Sequence, residues 1–558
     1  MQEESIVRAL RSALEKLGIS HAEPELAHPA ELSHGDYATN VVLIAAKKIG
    51  ENPKTFAEKI VAALGSIEGI EKIEVAGPGF INFHLARTVF AESVHHILST
   101  PDTWGSNEDA KGRKVVVEYS QPNPFKPFHI GHLMSTTIGE SLSRLVEWAG
   151  ANVFRANYQG DIGPHVAKCI WGLQKKGGDP HDVKALGDAY VFGNTAYEDD
   201  PKAKEEIDAL NVRLYAKDDV LKDVYDAGRA ASLARFEEIY TTLGTHFDHY
   251  FFESETGPIG LMMVEEGLKK GIFEKSDGAI IYKGETRGLH TRVFVTSKGI
   301  QTYETKELGL AKAKYGLFPY DLNLTTVAVE QDGYFKVIES ALAELWPEIK
   351  GKYTHVPHGM MQLTTGKMSS RKGNVITGES LIEEMRQKAF EKMADRDLGE
   401  AKQAVADSVA VAAIKYAVLK QGTGKNIIFD PEQSLSFEGD SGPYLQYSHV
   451  RAFSVLRKAE EENIVARVEG ASMAVTELER LLYRFPEIVA RAQKEYEPHH
   501  ITTYLTDIAG AFNSWYAKEQ IVKKDDSTSP YKVALTEAFA QTMRNGLWLL
   551  GISVPAKM

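Results

Sequence analysis

A strand, a loop and a helix follow one another near position 115. A run of valines bounded by polar residues ends at Glu118, as expected for a buried strand. The segment SQPNP, which starts at Ser120, breaks this pattern, and helical spacing then extends over residues 132–148. This order of elements opens a parallel, nucleotide-binding α/β fold.

The segments after this opening indicate a sheet interrupted by helices. A helix-rich stretch covers residues 201–243. The strand-like segments that follow it are residues 279–282, 291–295 and 324–329. We therefore expect a Rossmann-like catalytic domain over residues 111–375, with its parallel sheet split by a helical insertion at about 195–250.

The two ends of the chain differ from this middle part. Residues 1–110 combine helical patterns with an alternating segment, residues 70–85, that breaks at a Gly-Pro-Gly turn. They predict a small α+β domain. In the last third, apolar residues recur at helical spacing, which predicts a helical connecting region over 376–430 and an all-α helical bundle over 431–558.

Composition excludes several classes of protein. A formal net charge of -13 over 558 residues argues against a small, uniformly basic DNA-binding protein. The single cysteine, Cys169, excludes a disulfide framework within the chain and a structural zinc site built from cysteines. The sequence begins like a surface helix rather than a signal peptide and has no bilayer-spanning apolar run, so we expect a cytoplasmic monomer that binds neither DNA nor a membrane.

The first candidate for chemistry is the tetrapeptide HIGH, residues 129–132. It follows the predicted strand and stands at the start of the helix, where the helix N-terminus favours phosphate. The glycine at 131 lets a ligand approach the backbone. The tetrapeptide alone is a weak signal, because single histidines are commonly structural.

The second candidate is the segment GKMSSRKG, residues 366–373. It holds the cations Lys367, Arg371 and Lys372, it is flanked by glycines, and it contains no carboxylate. Such a segment is typical of a mobile loop that closes over a polyphosphate. A solvated surface turn is the alternative for this cluster alone, but the two motifs in this order favour one nucleotide site.

Together the two motifs resemble the HIGH and KMSKS signatures of class I aminoacyl-tRNA synthetases. The longer stretch EYSQPNPFKPFHIGH, which starts at Glu118, is similar to the extended signature of the arginyl enzymes. Further segments similar to that family are NYQGDIG from Asn157, GPYLQYSH from Gly442 and LLGISVPAKM ending at Met558. The resemblance thus covers nearly the whole chain, including GDYATN and GPGFINF near the N-terminus.

The resemblance implies an arginine-tRNA ligase. Such an enzyme uses ATP to convert L-arginine to arginyl-adenylate and transfers it to the terminal 2′-hydroxyl of tRNA(Arg). It also implies that tRNA must be present for activation, and that Mg²⁺ is bound mainly by the phosphates, with no metal site made by the protein alone. The implied catalytic residues are His129, His132 and Lys367.

The resemblance also assigns residues to three binding sites. The ATP site would comprise His129, Gly131, His132, Gly359, Met360, Lys367, Ser369, Ser370 and Arg371. The arginine site would comprise Glu118, Asn123, Tyr303, Glu307 and Gln331. Weaker tRNA contacts would be Phe80, Asn82, Tyr444, Tyr447, Trp515 and Tyr516, and for each aromatic residue of the C-terminal domain packing in a helix core is the alternative.

Three positions depart from the family pattern. Glu307 stands where the family usually has Asp, and the added methylene requires a shift of the pocket or a different contact. Ile162 replaces a common Trp, and His165 stands where Gln is frequent. The contacts of these residues therefore cannot be carried over directly.

Other readings of the two motifs remain. A shorter nucleotidyltransferase, such as a cytidylyltransferase, has no use for a helical C-terminal domain. Cysteinyl enzymes share both signatures but depend on zinc thiolates, which one cysteine cannot supply, and methionyl enzymes share the signatures too. A catalytically silent paralogue is disfavoured because both histidines and Lys367 are present.

Overall fold

The computed structural model describes residues 2–19, 22–364, 377–469 and 474–558. The chain divides into two compact units. The first consists of residues 1–104, 451–486 and 507–545, and the second of residues 105–450, 487–506 and 546–558.

The N-terminal part of the first unit is a small α+β arrangement. Its elements are α1 (Gln2–Lys16), β1 (Tyr37–Thr39), α2 (Val41–Ile49), α3 (Pro53–Leu64), β2 (Ile70–Ala76), β3 (Phe80–Leu85) and α4 (Arg87–Ser99). The strands form an antiparallel sheet in the order β1-β3-β2, and the predicted turn joins β2 to β3. Helix α1 buries Ile6, Leu10 and Leu14 in the core beside this sheet.

The second unit contains the large parallel sheet. Its strands are β4 (Lys114–Glu118), β5 (Asn152–Gln159), β6 (His249–Phe252), β7 (Glu274–Ser276), β8 (Ala279–Tyr282), β9 (Arg292–Val295), β10 (Leu322–Ala328), β11 (Tyr353–His358), β12 (Met361–Leu363) and β13 (Ile427–Phe429). Five of them form a parallel sheet in the order β11-β10-β4-β5-β6. The valines of β4 are buried because this strand lies in the middle, which confirms the predicted fold class.

Helices surround this sheet and continue beyond it. Those of the catalytic region are α5 (Ile130–Trp148), α6 (Pro164–Lys176), α7 (Val183–Asp199), α8 (Pro201–Tyr215), α9 (Asp219–Leu243), α10 (Glu253–Lys269), α11 (Tyr303–Leu317) and α12 (Asp332–Leu345). The later ones are α13 (Gly378–Lys392), α14 (Lys402–Leu419), α15 (Pro431–Ser434), α16 (Gly442–Glu461), α17 (Glu477–Glu495), α18 (His499–Lys518) and α19 (Ser529–Leu549). No helix in the described ranges is long and apolar enough to cross a membrane.

Two parts of the architecture differ from the sequence prediction. Strands β8 and β9, expected in the parallel sheet, form a separate antiparallel sheet with β7, because strands that follow one another closely along the chain usually pair with their neighbours. The helical stretch between β5 and β6 begins at Pro164, earlier than the expected 195–250. In addition, β13 lies within the stretch predicted as helical and pairs in parallel with β12.

The last residues of the chain lie against the catalytic region of the same unit. Ser141 of α5 donates its hydroxyl to the carbonyl of Leu549 at 2.8 Å. Lys415 is buried and donates to the carbonyls of Leu243 and Gly551, both at 2.5 Å. Burial lowers the pKa of Lys415 to about 7. The ends of α9 and α19 are therefore held together by one buried lysine.

Candidate active site

The loop between β4 and α5 has a strained backbone. Ser120, Gln121 and Phe125 have φ angles of 72°, 53° and 67°, in the left-handed region that non-glycine residues rarely occupy. Two hydroxyl groups hold the loop in this shape: Ser135 Oγ accepts the Ser120 N–H at 3.0 Å, and Ser232 Oγ accepts the Phe125 N–H at 3.0 Å. The loop is therefore fixed by α5 on one side and α9 on the other.

The histidines of the HIGH tetrapeptide cap helix α5 with each other. His129 Nδ1 accepts the backbone N–H of His132 at 3.4 Å, and His132 Nδ1 accepts that of His129 at 3.2 Å. Their rings stack with centroids 3.5 Å apart. A side chain at Gly131 would begin 2.9 Å from the His129 ring, so only glycine permits this arrangement. The Nε2 atoms of both rings are left for a ligand.

Both histidines are neutral at physiological pH. Partial enclosure by the protein, with the charges of Lys126 and His358, lowers the pKa of His129 to about 4. His132 is buried, and burial lowers its pKa further. Neutral rings can donate an Nε2 hydrogen to an anion without first taking a proton, and Lys126 supplies a positive charge nearby.

The predicted residues Lys367, Ser369, Ser370 and Arg371 lie outside the described residues. The chain on each side of them is described. Thr364 directly follows β12, and Thr377 forms an antiparallel bridge with His129. The N–H of Gly378 also donates to the carbonyl of Phe128 at 2.8 Å. The C-terminal flank of the GKMSSRKG segment is thus attached to the HIGH tetrapeptide.

Gly359 follows β11 at the same edge of the sheet. His358, the last residue of β11, is close enough for its charge to influence His129. A Cβ atom at position 359 would lie 2.2 Å from the carbonyl oxygen of Lys425, so this position requires glycine. Met360 is 48% exposed. The structure thereby brings three predicted ATP-site positions, 129, 132 and 359, to one edge of the sheet.

A buried acidic pocket adjoins this edge. Glu118 ends β4, and both of its carboxylate oxygens are occupied: Lys314 binds Oε2, and Gln121 donates to Oε1 at 2.7 Å. Glu307 is also buried, but among the residues that the structure describes its Oε1 atom has no hydrogen-bond partner. Burial and the charge of Glu118 raise the pKa of Glu307 to about 8. The pocket therefore has one unsatisfied acceptor that suits a cation.

The other predicted arginine-site residues are distributed around this pocket. Tyr303 lies one turn before Glu307 on α11, and burial, together with the nearby Glu307, raises the pKa of Tyr303. Asn123 lies against the backbone of Gly160, just past the end of β5. Gln331 is exposed in the short helical turn that follows β10. The structure thus groups Glu118, Tyr303 and Glu307, and leaves Gln331 at the surface of the same edge.

Sequence reasoning missed Lys314 and Glu253. Lys314 forms an ion pair with Glu118 and donates to Asn323 at 2.9 Å. Glu253 is paired with Lys306 at 2.5 Å. A signal for Lys314 was present, because it stands seven residues after Glu307 and so shares a helix face with it inside a buried helix. Nothing in the local sequence pointed to Glu253.

Comparison with known proteins identifies the family. The family model described as tRNA synthetases class I (R), catalytic domain, matches residues 93–431, more than half of the chain. The chain belongs to the class I arginyl-tRNA synthetase family. Two further models, the arginyl tRNA synthetase N terminal domain and the DALR anticodon binding domain, match residues 4–85 and 445–558.

Relatives in the arginyl-tRNA synthetase family match along the full length. The arginine-tRNA ligase of Halothermothrix orenii is 31% identical over 573 aligned residues, covering 100% of this chain and 99% of the relative. That of Clostridium perfringens is 30% identical and covers 97% of each. The Thermus thermophilus arginyl-tRNA synthetase structure has a TM-score of 0.80 at 24% identity and covers 100% of both chains. The Plasmodium falciparum structure, also at 0.80, is 20% identical and covers 100% of this chain and 99% of its own.

The departures from the arginyl-tRNA synthetase pattern have local explanations. His165 Nε2 is 2.7 Å from the carbonyl of Gly160, so this ring fixes the loop after β5. Burial lowers its pKa to about 3, which keeps the ring neutral and lets Nε2–H donate. Ile162 is buried in the same loop. Both residues serve the shape of this loop.

The predicted tRNA-contact residues differ in accessibility. Phe80 and Tyr516 are 38% and 41% exposed, whereas Asn82 is 3% exposed and has no face available to a partner. Trp515 packs against a cluster of buried apolar residues near the end of α16. Tyr444 and Tyr447 are half-buried, and Tyr447 lies 5.5 Å from the Arg396 guanidinium. Of these six positions, Phe80 and Tyr516 are the most accessible.

Proposed function

We propose that this chain activates L-arginine with ATP and esterifies it to tRNA(Arg). The observation that carries the proposal is the unpaired carboxylate oxygen of Glu307, buried near the strand end that leads to the HIGH tetrapeptide. A guanidinium is planar and always charged, and it binds carboxylates in a bidentate manner. The pocket therefore favours arginine over amino acids with neutral side chains.

The proposed chemistry needs alignment rather than a protein nucleophile. The arginine carboxylate attacks the α-phosphorus of ATP, and pyrophosphate leaves. His129, His132 and the N-terminus of α5 would bind the phosphates, while Gly359 and Met360 would contact the adenosine. Lys367 would stabilise the leaving pyrophosphate. The terminal 2′-hydroxyl of tRNA then attacks the adenylate carbonyl, and AMP leaves.

Glu307 and Asn123 would orient the arginine. Glu118 is already occupied by Lys314 and Gln121, so its role would be to shape the pocket and set its charge. That leaves Glu307 as the carboxylate with a free acceptor, with Tyr303 beside it. Asn123 would bind the α-amino group of the arginine. Gln331 would lie at the outer rim of the arginine pocket. The longer side chain of Glu307, compared with the usual Asp, places its oxygen closer to the ligand.

Magnesium would be bound mainly by the ATP phosphates. Within the described residues no group of three or more histidine, cysteine, aspartate or glutamate side chains is arranged to hold a metal ion. The cation would arrive with the nucleotide and keep several waters. It would neutralise phosphate charge while the histidines orient the chain of phosphates.

The helices from α16 onward would bind the anticodon stem and loop, where unstacked bases can lie on aromatic rings. Tyr516 is suited to this by its exposure and by the Arg451 guanidinium 5.3 Å from its ring. Phe80 would contact another part of the tRNA. We further propose that the protein acts as a monomer in the cytoplasm.

Substrate choice provides the direct test of the proposed function. In aminoacylation of bulk tRNA with each amino acid in turn, we expect product with arginine alone. Pyrophosphate exchange with arginine and ATP is expected to be negligible until tRNA is added. Charging of tRNA with another amino acid would overturn the assignment of arginine as the substrate. Rapid pyrophosphate exchange without tRNA would show that activation does not require tRNA.

The role of Lys367 is tested separately. Lys367→Ala is expected to slow activation at least about tenfold, or about 1.4 kcal/mol, because the leaving pyrophosphate loses a cation. The measurement is tRNA-dependent pyrophosphate exchange, with the dissociation constant of tRNA measured in parallel and expected to stay unchanged. Lys298→Ala, in a loop of the same unit, is the matched control. Equal rates for Lys367→Ala and the unmodified chain would exclude this lysine from catalysis.

A further inference from the structure

The turn between α17 and α18 bears a carboxylate that binds a distant loop. Tyr496 directly follows α17 and has a φ of 55°, and the next residue, Glu497, donates its N–H to the carbonyl of Ala492 at 3.0 Å. Its side chain accepts from Thr423 twice: from the backbone N–H at 3.0 Å and from the hydroxyl at 2.6 Å. His499 lies 2.8 Å from the same carboxylate.

The loop that contains Thr423 supports the backbone at Gly359 and Met360. The N–H of Gly424 donates to the carbonyl of Pro357 at 2.9 Å. The side chain of Asn426 accepts the N–H of Met360 at 2.8 Å, and the N–H of Ile427 donates to the Met360 carbonyl at 2.8 Å. The loop, residues 420–426, is therefore hydrogen-bonded to the chain before Gly359, at Pro357, and after it, at Met360.

A small cavity lies beside this loop. Its walls include Met134 and Ile138 of α5, His358 and Pro498, together with residues 421–425 of the loop. The bonds from Thr423 to Glu497 join this loop to the turn after α17, on the N-terminal side of its bonds to Pro357 and Met360.

We propose that Glu497 is a positioning residue that sets the backbone of Gly359 and Met360 for ATP, through Thr423. The inference rests on the proposed function, in which these two residues contact the adenosine. Glu497 itself touches neither ATP nor arginine. It belongs to the region matched by the anticodon-binding model, so the contact joins that region to the nucleotide site within one structural unit.

The chemistry of the contact makes the carboxylate specific. An ionised carboxylate accepts both Thr423 hydrogens and the His499 hydrogen, and such charge-assisted bonds are stronger than neutral ones. Glutamine has the same shape but no charge, and its NH₂ group cannot accept a hydrogen, so the Thr423 hydroxyl must reverse its role and accept from it. The charge-assisted bonds to Thr423 and His499 are then replaced by weaker neutral ones, and the loop is expected to shift.

The test is the Glu497→Gln variant of the full chain. We expect the dissociation constant of Mg·ATP, measured by equilibrium dialysis, and the KM for ATP to rise about fivefold. The KM for arginine and the dissociation constant of tRNA should stay within about twofold of the unmodified chain. A purely structural role would lower the unfolding midpoint without this selective change in ATP binding.

Four further variants make the outcome decisive. Glu495→Gln, on the same turn but bonded to Arg491 and His500, is expected to leave ATP binding unchanged. Thr423→Ser keeps both donors and should behave as the unmodified chain, whereas Thr423→Val should weaken ATP binding. Thr423→Val combined with Glu497→Gln should add little to the larger single effect.

Two results would overturn this inference or the proposal beneath it. Unchanged ATP affinity in both Glu497→Gln and Thr423→Val would show that the contact does not position the ATP-binding backbone. Failure of the unmodified chain to bind Mg·ATP would instead reject the proposed ATP site.

Discussion

Replacing His132 by Asn is expected to lower kcat/KM for aminoacylation about 100- to 1000-fold, or roughly 3 to 4 kcal/mol in transition-state free energy. Asparagine retains an acceptor for the His129 N–H, so the helix cap is preserved. The imidazole Nε2 group is lost, and with it the contact to the phosphates. His129→Asn is expected to give a loss of similar size.

The measurement is steady-state aminoacylation, with the unfolding midpoint recorded for each variant. His181→Asn is the control, because this histidine is exposed and its ring pairs with the neighbouring Asp179. The pKa of His129 is lowered to about 4, so the ring stays neutral as pH falls from 8 to 6. Activity in this range should therefore show no loss from its protonation. Full activity in both Asn variants would contradict the assignment of His129 and His132 to the binding of the ATP phosphates.

Glu307→Gln is expected to raise the KM for arginine about 100-fold, which corresponds to roughly 3 kcal/mol. The variant removes the carboxylate of Glu307, whose Oε1 atom is unpaired within the described part of the chain, while Glu118 remains neutralised by Lys314. The KM for ATP should change little. Glu307→Asp should retain most of the affinity, because the charge is kept.

The pH dependence of arginine binding gives a second readout for Glu307. Its pKa is raised to about 8, so below that pH the empty pocket holds a proton that the arginine cation must displace. The KM for arginine should fall as pH rises toward 8 and then level off. Glu307→Gln should abolish this dependence, and Glu304→Gln, on the same helix, should preserve it. A KM independent of pH in the unmodified chain would show that Glu307 does not bind arginine.

The sequence predicts those parts of the candidate site that are formed by residues near one another in the chain. Glu118 was placed at a strand end by the valine run, and the HIGH tetrapeptide was placed at a helix start, which the mutual cap of His129 and His132 confirms. The parallel sheet could also be predicted, because its strands are buried and β-branched. These features are set by residues near one another in the chain.

Features that depend on distant pairing could not be predicted in the same way. The Glu118–Lys314 ion pair joins residues 196 positions apart, and the Thr423–Glu497 contact joins residues 74 positions apart. The pairing of β12 with β13 and the separate sheet of β7, β8 and β9 likewise depend on which strand edges meet. Short strands carry too weak a pattern to choose among partners.

The bonds made by the last residues of the chain bear on the order of events during synthesis. Leu549, whose carbonyl binds Ser141, is added 408 residues after it, and Gly551 is added 136 residues after Lys415. At a synthesis rate of about 5 to 20 residues per second, roughly 20 to 80 s pass between the addition of Ser141 and the addition of Leu549. During this time the Ser141 hydroxyl lacks this acceptor. The helix that begins at the HIGH tetrapeptide therefore gains this contact only after Leu549 has been added, and a shorter nascent chain cannot yet hold that helix in the same way.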